Sequence, residues 1–177
     1  MTAQLKAKAI TVKTGTLVDA TIIASASEED GDARWVKHKG KFAVHGFKAH
    51  VGADADTALV EVVAVTSANI NDGRAGPDAL PDSPGEVFAD SAYRGSHFRD
   101  AVRAREGIAR IVATGMWGRV EVETLRKLKE WNQPIHRVRG WIEKIFGTWK
   151  RSYSLRRMRW RWIGQSRLPD PPHGHRQ

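Results

Sequence analysis

The first half of the chain alternates between apolar stretches and turn-forming residues. Residues 15–24, GTLVDATIIA, are rich in β-branched and apolar side chains, which predicts a buried strand. Residues 25–41 change from acidic to basic around two glycines and indicate a surface loop. Two further strand patterns, at 41–54 and 57–69, are separated by turn-forming residues and predict a hairpin. These three strands together predict an antiparallel meander.

A different order of elements follows. One short helix is expected after Asp72, and a short strand at 87–89 ends at Asp90. A helical pattern at 96–105 then leads to another strand at 107–114. Strand, helix and strand after a meander predict an α/β fold, with a mixed sheet and helices packed against it.

The last third of the chain has helical periodicity. Residues 120–132 form an amphipathic pattern, and Pro134 is expected to separate that helix from a second one at 136–150. The basic and aromatic residues 151–162 are expected to continue as a helix. The domain interpretation is a disordered lead-in at 1–14, one core domain at 15–162 and a disordered proline-rich tail at 163–177.

The helix at 136–150 has a charged side and an apolar side. At about 100° per residue, four polar positions fall within an arc of roughly 60°, and they are His136, Arg139, Glu143 and Lys150. The apolar side is predicted to pack on the core, and its members are Trp141, Ile142, Ile145 and Trp149. The charged side is therefore expected to border a cleft that holds something anionic.

Charge is distributed unevenly along the sequence. The chain has a net charge of +9, and residues 135–177 alone hold eleven Lys and Arg against two acidic residues. Aromatic residues are interleaved with these cations, which is typical of surfaces that contact phosphates and stack on bases. A solubilising basic end is the alternative explanation. The absence of cysteine excludes disulfides, thiolate catalysis and Cys-based zinc sites.

Three carboxylates stand out for independent reasons. Asp19 lies in the middle of an apolar strand, where an isolated charge is costly unless it is paired or bound to a metal. Asp90 lies at the carboxyl end of a strand, where α/β sheets expose reactive groups. Glu143 is the carboxylate of the charged helix side. If the two strands are neighbours, all three meet and predict a site for hard cations such as Mg²⁺ or Mn²⁺.

Five segments resemble the DDE transposases of bacterial insertion sequences, specifically the type-five group. They are GTLVDAT, HGFKAH, TSANINDG, VFADSAYRG and HRVRGWIEKIFGTWK, spread over residues 15–160 in the family's order. The family signature is Tyr, two residues, Arg, three residues, Glu, six residues and Lys. Arg139, Glu143 and Lys150 match it, and His136 stands at the Tyr position.

The resemblance implies a ribonuclease H-like fold, with a mixed five-stranded sheet of three antiparallel strands and then two parallel ones, flanked by helices. It implies that Asp19, Asp90 and Glu143 bind two Mg²⁺ or Mn²⁺ ions and catalyse cleavage of transposon ends and strand transfer into target DNA. DNA phosphates would be held by basic residues, namely His136, Arg139, Lys150, Arg151, Arg156, Arg157 and Arg159. Full-length relatives are expected to be homodimers that act in the cytoplasm, at the nucleoid, without a membrane.

The same resemblance leads to an expectation about completeness. Family members carry a long helical region before the first aspartate, whereas eighteen residues precede Asp19 here, so the chain is expected to be a catalytic portion truncated at the front and altered at the back. Two alternatives follow, which are an inactive remnant that only binds DNA and a general ribonuclease H-like nuclease.

Overall fold

The computed structural model describes residues 14–37, 40, 42–118 and 120–159. The predicted lead-in at 1–13 and tail from 160 onward lie outside the described residues. The elements, in chain order, are β1 (Gly15–Ala24), β2 (Arg34–Val36), β3 (Val44–Asp54), β4 (Val60–Ser67), α1 (Asp72–Ala75), a 3₁₀ turn (Gly76–Ala79), β5 (Glu86–Ala89), a 3₁₀ turn (Ser91–Tyr93), α2 (Ser96–Ala104), β6 (Ile108–Ile111) and α3 (Glu121–Ser152).

The strands form one mixed sheet in the order β2-β3-β1-β5-β6, with β4 also paired to β3. The β1-β3 and β3-β4 pairs are antiparallel, whereas β1-β5 and β5-β6 are parallel. The predicted α/β, ribonuclease H-like architecture is confirmed, including the hairpin of β3 and β4. The sheet has one strand more than expected. The additional strand, β2, lies in a segment that was predicted to be a loop, and it pairs with the first residues of β3.

Each face of the sheet is covered by its own apolar cluster. Val18 and Val87 pack with Phe98 and Val102 of α2 on one face. Leu17 and Val51 pack with Ile142 of α3 on the other face. The side-chain alternation of β1 therefore assigns odd-numbered positions, including Asp19, to the α3 face.

Pro134 does not separate two helices, and this expectation was wrong. α3 is continuous for 32 residues, or about 48 Å, with Pro134 inside it. Pro134 and Glu130 are both exposed, so the proline ring and the missing hydrogen bond lie on the solvent side of the helix. The helix is also held on both sides of the proline. Asn132 exchanges two hydrogen bonds of 2.8 Å with the backbone of Ala113, and Ile135 is buried.

The packed side of α3 differs from the predicted one at Trp141. This residue is 45% exposed, and the Lys144 ammonium lies 4.2 Å from the centre of its ring. The buried stripe instead takes in Val138 and Phe146 together with Ile142. Trp141 lies about 100° around the helix from Ile142, which places it beyond the edge of this stripe.

The basic segment after α3 was expected to be helical, and this expectation was wrong. The helix ends at Ser152, and Ser154 adopts a φ of 56°, which turns the chain back toward the sheet. The backbone N–H of Ala24 donates to Arg156 at 3.0 Å, and the N–H of Met158 donates to Ala24 at 2.7 Å. β5 pairs only with the first three residues of β1, so the returning segment satisfies backbone groups that the far end of β1 would otherwise leave unpaired.

Candidate functional site

Register brings the two aspartates together. The parallel pairing of β1 and β5 places Leu17 beside Phe88, and both residues pack on the α3 face. Asp19 and Asp90 each lie two residues further along, so both aspartates project from this same face. The predicted meeting of these two carboxylates follows directly from the pairing of their strands.

A guanidinium lies against this pair of aspartates. The Nη2 of Arg139 is 2.9 Å from Oδ2 of Asp19 and 3.9 Å from Oδ2 of Asp90. The Arg139 and Asp19 side chains are only 18% and 17% exposed, so the ion pair is largely withdrawn from water. Arg139 reaches this position because Ile142, three residues later on α3, is anchored in the core.

The remaining carboxylate oxygens accept backbone hydrogen bonds. Oδ1 of Asp19 accepts from the N–H of Ala20 at 2.8 Å. Oδ1 of Asp90 accepts from the N–H of Ala92 at 2.8 Å and thereby caps the 3₁₀ turn after β5. Each carboxylate thus uses one oxygen to fix its orientation and turns the other toward Arg139.

Burial dominates the electrostatics of the first aspartate. The pKa of Asp19 is raised above its ordinary value because desolvation disfavours the charged form. The Arg139 charge and the Ala20 N–H act in the opposite direction, whereas the charge of Asp90 adds to the increase. The charge of Arg139 is therefore the strongest influence that favours the ionised form of Asp19.

Glu143, the third expected acid, is placed differently. It follows Arg139 by one helical turn on α3, and its side chain is exposed. Within the described residues, no three His, Cys, Asp or Glu side chains are close enough together to hold a metal ion. The structure therefore brings together Asp19 and Asp90, with Glu143 on the same side of α3 as Arg139.

The predicted phosphate-binding residues lie around this site and beyond it. Lys150 and Arg156 line a groove of about 590 Å³ that is also bordered by Ala20 and Thr21, the residues immediately after Asp19. The other expected members are exposed, namely His136, Arg151, Arg157 and Arg159. Arg139 is only 18% exposed and is paired with Asp19.

Two polar features near the aspartates were missed by the sequence interpretation. Lys48 is almost fully buried in β3, and its ammonium lies 2.8 Å from a carboxylate oxygen of Asp72. The hydroxyl of Tyr93 is buried without a hydrogen-bond partner among the described residues. The pKa of Tyr93 is raised, first by burial and then by the charges of Asp19, Asp72 and Asp90. The sequence did contain a signal for the Lys48–Asp72 ion pair, because a lysine within an apolar strand requires a partner of opposite charge.

A family model described as the transposase DDE domain matches residues 10–164. The chain belongs to that family. No solved structure matched this DDE-domain protein. None of the helices in the described part of the transposase domain combines the length and the apolar character needed to cross a bilayer.

Proposed function

We propose that this transposase domain binds DNA, cleaves its strands with the help of divalent cations and joins the released ends to target DNA. The observation that carries the proposal is the convergence of Asp19, within β1, and Asp90, directly after β5, on one cationic group. The membership of the chain in the transposase DDE-domain family gives this pair its chemical context.

The donor set is suited to a hard divalent cation. Asp19 and Asp90 offer only oxygen ligands, and Mg²⁺ is usually bound by one or two carboxylates together with waters and phosphate oxygens. Asp19 and Asp90 would therefore be sufficient protein ligands for one such cation. Glu143 would be the third, and its exposed position on α3 leaves it accessible to a second cation.

When bound, a pair of such cations supplies activation of the attacking oxygen and stabilisation of the leaving oxygen in an in-line displacement at phosphorus. The protein would contribute orientation. Backbone N–H groups hold Asp19 and Asp90, while Lys150 and Arg156 of the adjacent groove would bind phosphates of the strand that enters. The reaction needs no covalent intermediate on the protein.

The first test is nicking of supercoiled plasmid by the purified chain with Mg²⁺ or Mn²⁺. We expect nicking that is lost in Asp90→Asn and Glu143→Gln, with DNA affinity nearly unchanged. Asp100→Asn is the matched control, because this exposed carboxylate pairs with Arg103 on α2. Nicking that survives in Glu143→Gln would contradict the role of that residue.

Joining distinguishes the proposal from a general nuclease. A labelled oligonucleotide with a free 3′-hydroxyl should become covalently attached to the plasmid in the presence of the cation. Nicking without attachment would favour the nuclease alternative. Salt-sensitive DNA binding without any nicking would favour an inactive remnant. Assignment to the type-five group, homodimerisation and action at the nucleoid remain predictions from the resemblance.

A further inference from the structure

One guanidinium nitrogen faces both site aspartates. Nη2 of Arg139 contacts Oδ2 of Asp19 at 2.9 Å and lies 3.9 Å from Oδ2 of Asp90. These are the two oxygens that backbone N–H groups leave available, since each Oδ1 already accepts such a bond. Both Oδ2 atoms face the same position, and the guanidinium of Arg139 occupies it.

Electrostatics explains why a cation is needed there. Asp19 is 17% exposed and Asp90 is 33% exposed, and two carboxylates that face one position destabilise each other when both are ionised. Arg139 compensates this repulsion at the cost of its own burial. Its Nε is buried and has no hydrogen-bond partner among the described residues, whereas its Nη2 lies 2.9 Å from Asp19. The contact offsets one of the two negative charges but leaves the Nε of Arg139 without a hydrogen-bond partner among the described residues.

We infer that Arg139 occupies the place of the divalent cation in the metal-free protein and must be displaced before that cation can bind to Asp19 and Asp90. This inference rests on the proposed metal site and gives Arg139 a second role besides phosphate binding. A displaced guanidinium requires a new anion, and a DNA phosphate supplies one. Metal binding and DNA binding are then coupled through this side chain, each favouring the other.

The test is the affinity for Mn²⁺ in the absence of DNA, measured by calorimetry and by the loss of the free-ion electron paramagnetic resonance signal. Arg139→Met keeps the packing of the side-chain stem but removes the competing charge. We expect this variant to bind Mn²⁺ about tenfold more tightly or better, since a hydrogen-bonded ion pair no longer has to be broken. Arg137→Met is the matched control, because Arg137 is exposed on the same helix, and it should bind Mn²⁺ as the unchanged protein does.

The outcomes separate this inference from the proposed function. Equal or weaker Mn²⁺ binding by folded Arg139→Met would overturn the inference alone, because the metal site would still exist. Absence of Mn²⁺ binding in every folded protein would overturn both. If Arg139→Met does not fold, the Nε–Hε resonance of Arg139 in the unchanged protein decides. We expect that resonance to shift as Mg²⁺ saturates the site, and a resonance that stays in place would refute displacement.

Discussion

Replacement of Ile142 by alanine should destabilise the protein strongly, because this side chain anchors α3 on the sheet. Ile142 is 1% exposed and packs in one cluster with Leu17, Val51, Ala53 and Ala55. The helix that it anchors also carries Arg139 and Glu143. The substitution therefore probes the connection between core packing and the position of the site.

The magnitude follows from the atoms removed. Ile→Ala deletes three carbon atoms, and each buried carbon contributes about 0.8 kcal/mol, or about 2.4 kcal/mol in total. A cavity in a site that collapses incompletely raises the cost to about 3 to 4 kcal/mol. For a domain of this size, that loss corresponds to a fall in the melting temperature of about 6 to 16 °C.

The assay is urea and thermal unfolding followed by circular dichroism at 222 nm. Trp141→Ala is the control, because this larger neighbouring side chain is 45% exposed and lies against the Lys144 ammonium outside the buried stripe. Its cost should stay near 1 kcal/mol or below. Equal costs for the two variants, or a larger cost for Trp141→Ala, would refute the packing of α3 described above.

Three further changes test other parts of the structure. Gly52→Ala should lower the free energy of unfolding in urea by about 1 to 3 kcal/mol, because the added methyl group would lie 2.0 Å from a backbone carbonyl oxygen. At Gly140, the control position, an added methyl group meets no atom within 4 Å, so Gly140→Ala should stabilise α3 by up to about 1 kcal/mol. The pKa of Asp19 is raised in the folded protein, so the folded state holds this proton more tightly than the unfolded state does. The free energy of unfolding therefore falls as the pH rises from 3.8, the ordinary pKa, through the raised pKa. Asp19→Asn should therefore be more stable than the unchanged protein at pH 7, with the difference disappearing below pH 3.8 in pH-dependent melts. Finally, Arg156→Ala should reduce the salt slope of DNA binding by about 0.9 if Arg156 contacts one phosphate, and Arg126→Ala, on the distant half of α3, should leave that slope unchanged.

Local patterns in the sequence were enough to predict the aspartate pair. Asp19 interrupts an apolar strand and Asp90 ends one, and both features can be recognised without knowledge of tertiary contacts. The change from a meander to a strand-helix-strand unit predicted a mixed sheet, but it left open whether the strands of the two aspartates are neighbours. Register then completed the prediction, since β1 and β5 are parallel neighbours and place the two carboxylates on one face.

The failures occurred where tertiary contacts override a local rule. Pro134 ends a helix only if its lost hydrogen bond and steric clash are not offset, and the contacts of Asn132 and Ile135 on either side offset them. The segment after Ser152 has a helical composition, yet unpaired backbone groups of β1 attract it into a short bridge at Ala24. Neither contact has a signature in the sequence around it.

The position of Arg139 shows how a small rotation around a helix changes its role. Arg139 lies about 60° from Ile142 on one side of the apolar stripe, and Trp141 lies about 100° away on the other. The sequence analysis placed the charged side of the helix opposite the apolar side. In the structure the charged side is adjacent to the buried stripe. Adjacency lets the stem of Arg139 follow the core inward until its guanidinium reaches Asp19, whereas Glu143, about 40° further around, remains exposed. Docking of α3 therefore determines which charge lies against Asp19.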